Sequence, residues 1–105
     1  MEKVDIIVTN KKSMVDYLIL LGVADNATPV VKKATVVDIL GKYVAGTLPL
    51  HLACYTRRII EVPLNIPKNK RRNKLNATSI KKYAGEPRYY EINMLPAMTL
   101  AIEGV

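Results

Sequence analysis

Lys42-Tyr43-Val44-Ala45-Gly46-Thr47-Leu48-Pro49-Leu50-His51-Leu52-Ala53 is the stretch on which the reading of this chain turns. The apolar run from Lys42 to Thr47 reads as a buried strand that stops at a glycine turn. Pro49 suits the first position of a helix, because the N–H it lacks has no partner there in any case. The helix then runs to about Thr56. A strand passing straight into a helix leaves free amides at the helix start, and those amides favour an anion, typically a phosphate. Thr47 adds a hydroxyl at the turn, and His51, the only histidine in the chain, lies in the first helical turn.

Outward from this segment the same alternation repeats. Val4 to Thr9 is a short β-branched run that ends in Asn10-Lys11-Lys12 and predicts a first strand. Ser13 is placed to cap the helix that follows, in which Met14, Tyr17, Leu18 and Leu21 recur at helical spacing before Gly22. Asp25-Asn26-Ala27 reads as a turn and Thr28 to Lys33 as a second strand, with Pro29 marking its start or a sheet edge. Thr35 can cap a short helical turn from Val36 to Leu40, closed by Gly41. Downstream, Arg58 to Leu64 is a fourth strand with Pro63 and Pro67 at its exit. Ala77 to Tyr83 is a short helix with Asn76 or Thr78 near its cap, and Arg88 to Met94 is a fifth strand. Strands alternating with helices, without repeats or low-complexity tracts, predict one α/β domain over residues 1–105 with a mostly parallel sheet of about five strands. Residues 94–105 are left between an ordered edge, a segment exchanged with a partner, and a tail. In such sheets ligands collect beyond the carboxyl ends of the strands. The turns Thr9–Ser13 and Gly46–Pro49 are therefore expected to share one rim.

The totals narrow the choices. With 105 residues there is room for one core. That core has neither Phe nor Trp and must be built from Val, Ile, Leu, Ala, Met and some Tyr. Cys54 is the only cysteine, which removes an internal disulfide and any multi-cysteine metal site. It reads as a small buried thiol. No metal ligand set and no cofactor are expected. The charged start and the lack of an apolar run of ~20 residues predict no membrane partner and a cytoplasmic location. The net charge is +7, and much of the excess lies between Arg57 and Arg88, where Glu61 and Glu86 are the acids. Such lopsided charge steers anions to one side of a molecule.

Familiar catalytic signatures are missing. Leu40-Gly41-Lys42-Tyr43 lacks the leading glycine and the Ser or Thr of a phosphate-binding loop, and there is neither G-x-G-x-x-G nor G-x-S-x-G. What remains is a rim of hydroxyl, amide and basic groups suited to phosphates. RNA brings its own nucleophile, the 2′-hydroxyl, so cleavage requires alignment and charge stabilisation more than a metal. The candidate catalytic residues are Asn10, Lys11 and His51. The candidate ligand-binding residues are Thr9, Lys12, Ser13, Gly46, Thr47, Leu48, Pro49, Arg71 and Arg72. Each has a plainer alternative: a turn for Asn10, solvated charge for the lysines and for the run Lys68–Lys74, a helix-start side chain for His51. Tyr83, Tyr89 and Tyr90 read either as base-stacking platforms or as edge packing.

The segment Gly46-Thr47-Leu48-Pro49-Leu50-His51-Leu52-Ala53 resembles the G-T-L-P-x-x-L-A motif of a small CRISPR-associated family of the Csx type. Val62-Pro63-Leu64-Asn65-Ile66-Pro67 and Lys81-Lys82-Tyr83-Ala84-Gly85 are similar to that family's later segments, so the resemblance spans most of residues 4–92, with the central motif its specific part. It implies a Rossmann-like fold and a role in type III CRISPR defence. It also implies a ring nuclease, a metal-independent enzyme that linearises cyclic oligoadenylate, most often cyclic tetra-adenylate, and commonly acts as a homodimer. The chain departs from the family at Thr9-Asn10-Lys11, where a Ser/Thr-Arg-His-like turn is expected: Thr9 matches, but the arginine and histidine are absent. A non-catalytic sensor or sponge for cyclic nucleotide is thus one alternative, and a small basic protein binding single-stranded RNA through Lys68–Lys74 is another.

Overall fold

β1 (Ile6–Val8) is buried along its whole length, as expected of a parallel strand covered on both faces. The computed structural model, which describes residues 2–67, 69 and 76–95, builds the rest of the sheet around it. The chain continues through α1 (Lys12–Leu20), β2 (Val30–Val31), α2 (Val36–Ile39), β3 (Tyr43–Gly46), α3 (Leu50–Ala53), β4 (Arg58–Glu61), α4 (Ala77–Tyr83) and β5 (Arg88–Tyr90). The strands lie in the order β2-β1-β3-β4-β5. β1 pairs in parallel with both β2 and β3, β3 pairs in parallel with β4, and β5 closes the edge antiparallel to β4. This is the single Rossmann-like α/β domain with a mostly parallel five-stranded sheet.

From β1 the chain moves to one side, to β2, and then crosses back to β3 on the other. Right-handed connections therefore place α1 and α2 on opposite faces. The core shows the consequence residue by residue. Ile7 packs with Leu18, Tyr43, Ala45 and Ile60 on the α1 face. Its neighbours Ile6 and Val8 pack with Ile39 and Val44 on the α2 face, following the two-residue alternation of a strand. α4 lies beside α1, with Ile80 fully buried.

Most elements fall where the pattern put them, but shorter. The first strand spans Ile6–Val8 and the second Val30–Val31, inside the expected 4–9 and 28–33. The fourth ends at Glu61, because Pro63 has no N–H for the ladder. The fifth stops at Tyr90. Asp25 turns the chain by accepting a hydrogen bond from the Ala27 N–H at 2.9 Å. Thr35 opens α2, its N–H and hydroxyl both donating to the Asp38 carboxylate at 2.8 and 3.0 Å. Asn76 caps α4 by accepting from the Ser79 N–H at 2.9 Å. α1 ends in a Schellman turn: the Gly22 N–H donates to the Ile19 carbonyl and the Val23 N–H to that of Leu18, with Gly22 at φ +82°.

Two helix starts differ from expectation. Ser13 does not cap α1. The Thr9 hydroxyl accepts from the Lys11 N–H at 3.2 Å and turns the chain early, so Lys11 takes the cap position and Ser13 falls inside the first turn. Pro49 is likewise the cap of α3 rather than its first residue, and α3 is a single turn. Among the described residues no helix is long and apolar enough to cross a membrane.

Candidate functional site

The carboxyl ends of the central strands come together by register. Val8 lies opposite Gly46 and Ala45 opposite Ile60, so the next residue of β4, Glu61, stands level with Gly46. Val8 and Val31 are paired on the other side, which brings Lys32 to the same rim. Gly46 fits this junction because it has no side chain. At φ +138°, a Cβ there would overlap the Val8 carbonyl oxygen and lie 3.2 Å from its carbon. The backbones of β1 and β3 thus approach more closely than any other residue at position 46 allows.

Beyond this rim is a cavity of about 590 Å³. Its polar lining is Thr9, Asn10, Lys11, Lys32, Thr47 and Glu61, and Ile7, Val8 and Ile60 form part of its apolar floor. A neighbouring cavity of about 630 Å³ shares Thr9, Asn10, Lys11 and Lys32 and continues past Lys12 and Asp16 towards Asn26. The two hollows straddle the turn at Asn10-Lys11. The site lies between β1 and β3, where the winding of the sheet reverses and where open α/β sheets bind their ligands. The two turns expected to share one rim do so.

The electrostatics are mixed rather than uniformly basic. Lys11 and Lys32 are exposed at the rim, and the start of α1 has neither a capping side chain nor an acid in its first turn. A partial positive charge therefore faces the same edge. Glu61 opposes it, accepting a hydrogen bond from the Thr47 hydroxyl at 3.2 Å. Lys12 is turned to Asp16, 3.2 Å away along the helix. Arg57 and Arg58 are taken up at the other end of the strands. They flank the buried Tyr43 ring at 5.6 and 5.5 Å and reach Glu2 at 3.4 and 3.7 Å. Part of the basic excess is therefore structural. Burial pushes the Tyr43 hydroxyl above its usual 10.0, with Tyr89 and Glu2 acting in the same sense and the two arginines against it.

Of the predicted site residues, Thr9, Asn10, Lys11, Gly46 and Thr47 share the first cavity, and Lys12 lines the second. His51, Leu48, Pro49 and Ser13 line neither. With α3 reduced to one turn, the helix-start case for an anion at Pro49 lapses, since a four-residue helix has no developed macrodipole. Leu48 packs instead against the α2-side core with Leu52. His51 is exposed on α3, outside the rim. Arg71, Arg72 and nearly all of the run 68–74 lie outside the described residues. Tyr89 and Tyr90 are exposed on edge strand β5, away from both cavities. Cys54 is half-buried rather than buried.

Lys32 and Glu61 were missed by sequence reasoning. Both follow the apolar residues of short strands, and that is the one signal by which they were findable: in a parallel sheet such positions meet at the carboxyl edge. Compared with protein-family models, with curated proteins and with solved structures, the chain matches none, and its own rim of amides, lysines, Thr47 and Glu61 is what speaks for its chemistry.

Proposed function

We propose that this chain binds cyclic oligoadenylate, in the first instance cyclic tetra-adenylate, and opens the ring without a metal, ending type III CRISPR signalling in the cytoplasm. The observation that carries this reading is the meeting of the Thr9–Lys11 and Gly46–Thr47 turns in one cavity at the sheet's switch point. The first of these turns provides Asn10 as a neutral donor and Lys11 as a cation. Lys32 adds a second positive charge, and the uncapped start of α1 adds oriented amides. The resemblance of Gly46–Ala53 to the Csx-type motif supplies the ligand class. A two-fold homodimer suits a symmetric ring, each copy offering one rim.

The chemistry uses groups already on the ligand. A ribose 2′-oxygen attacks the adjacent phosphorus in line with the departing 5′-oxygen, leaving a 2′,3′-cyclic phosphate and a free 5′-hydroxyl. Holding that alignment is worth up to about 7–11 kcal/mol of barrier. Each well-placed donor to the phosphorane oxygens adds about 3–4 kcal/mol. Asn10 and Lys11 are the residues for these roles.

A second reading is favoured by one observation: His51 lies outside both cavities. Without an imidazole at the phosphate, a gain of roughly 10²–10⁴ from proton transfer is lost, and the protein becomes a sensor or sponge that holds the ring intact. Incubation of radiolabelled cyclic tetra-adenylate with the protein in EDTA, with products resolved by chromatography and binding followed by calorimetry, separates the two. Linear product supports the nuclease. Tight binding with the ring intact after hours supports the sponge. No binding at micromolar protein, or equal binding of linear RNA, refutes both.

A further inference from the structure

A carboxylate in a cavity meant for phosphates calls for an explanation. Glu61 stands level with Gly46 at the end of β4 and lines the cavity together with Lys11 and Lys32. A carboxylate repels a phosphate at such range, so it is favourable there only if the ligand brings a hydrogen-bond donor. Among the described residues the Glu61 side chain makes no ion pair, and its one hydrogen bond is from the Thr47 hydroxyl to Oε2. Oε1 has no partner among those residues. Thr47 fixes one oxygen and leaves the other for the ligand.

Resting on the cyclic oligoadenylate reading above, we propose that Glu61 is the acceptor for the ribose 2′-hydroxyl that attacks phosphorus. This role makes the site selective for ribose over deoxyribose. In the step itself the O2′–H proton passes to Glu61 Oε1 as the O2′–P bond forms. The P–O5′ bond breaks with its electron pair on O5′, which takes a proton from the Lys11 ammonium. Exchange with solvent returns Glu61 to the carboxylate and Lys11 to the ammonium. Cations that bind the phosphate and an anion that binds the sugar edge together fit a nucleotide better than they fit inorganic phosphate or a bare polyanion.

The test compares cyclic tetra-adenylate with its all-2′-deoxy counterpart, using full-length wild type and Glu61→Gln. The wild type is expected to bind the ribose ring about ten- to a hundred-fold more tightly, the usual reach of one hydrogen bond to a charged group. Glu61→Gln, whose neutral amide oxygen is a weaker acceptor and no base, is expected to weaken that preference and to cut about 10²–10⁴-fold more slowly in single turnover. A Glu61→Gln protein that keeps both the preference and the rate overturns the inference while leaving the proposed function standing. A wild type that binds neither ring overturns both. A wild type that binds but never cuts overturns the proton step, and the ribose preference then decides the acceptor role. If Glu61→Gln fails to fold, equal wild-type affinity for the two rings overturns the inference and a ribose preference supports it.

Discussion

Gly46→Ala is expected to be the most damaging small substitution at the rim, through the backbone rather than through any lost contact. The native φ of +138° is a conformation that costs an alanine about 1–3 kcal/mol. The added Cβ would also collide with the Val8 carbonyl oxygen, which belongs to rigid β1 and cannot swing aside as a side chain would. Relief requires the ends of β1 and β3 to part, losing one or two ladder hydrogen bonds at about 0.5–1.5 kcal/mol each. The sum is about 1.5–6 kcal/mol, a large part of the roughly 5–15 kcal/mol that holds a domain of this kind. At about 4–8 °C per kcal/mol for a chain near this size, the midpoint should fall by about 6–48 °C in thermal unfolding followed by circular dichroism. Gly41→Ala is the matched control. Its φ of +69° is also positive, but a Cβ there meets nothing within 4 Å, so it should cost only about 1–2 kcal/mol. If the two variants melt within about 3 °C of each other, the close approach of Gly46 to Val8 is refuted, and with it the geometry of the rim.

Other outcomes follow from single groups. Asp38 is held below its ordinary 3.8 by the Thr35 N–H and then by the Thr35 hydroxyl. A carboxylate depressed in the folded state stabilises above its unfolded pKa, and that contribution disappears as pH falls through the folded value. Thr35-facing Asp38→Asn should therefore flatten the acid limb of thermal stability below about pH 4, and an unchanged acid limb would contradict the capping contact. Tyr43 runs the other way: a hydroxyl whose pKa is raised on folding stabilises below 10.0 and loses that contribution as pH climbs through the folded value. Tyr43→Phe should therefore weaken the alkaline loss of stability in urea melts above pH 10, and an identical alkaline profile would count against burial as the cause. Lys11→Ala and Lys32→Ala should each lower affinity for cyclic tetra-adenylate and flatten its salt dependence. Lys12→Ala, removing a side chain engaged by Asp16, should do so less. Equal losses at all three lysines in calorimetry at low and high salt would place the ligand elsewhere.

Much of this protein could be read locally. β-branched runs closed by polar turns, apolar positions at helical spacing, Asp25 at its turn, Thr35 and Asn76 at helix starts and Gly22 at a helix end are all short-range preferences, and the structure uses each of them. From their alternation the parallel sheet followed, and from the sheet the meeting of Thr9–Lys11 with Gly46–Thr47, because consecutive parallel strands present the same end to one side. What could not be read is how far each element runs and which side chains reach the rim. α3 is a single turn, with Leu48 and Leu52 packed against the α2-side core and His51 exposed beyond the cavity. Lys32 and Glu61 enter the site only through strand register, a set of hydrogen bonds between residues far apart in the chain. Local propensity acts over a few residues and can specify turns and helix ends. The partners of a side chain at a strand end are chosen by pairing across the sheet, and that choice exists only once the domain has folded.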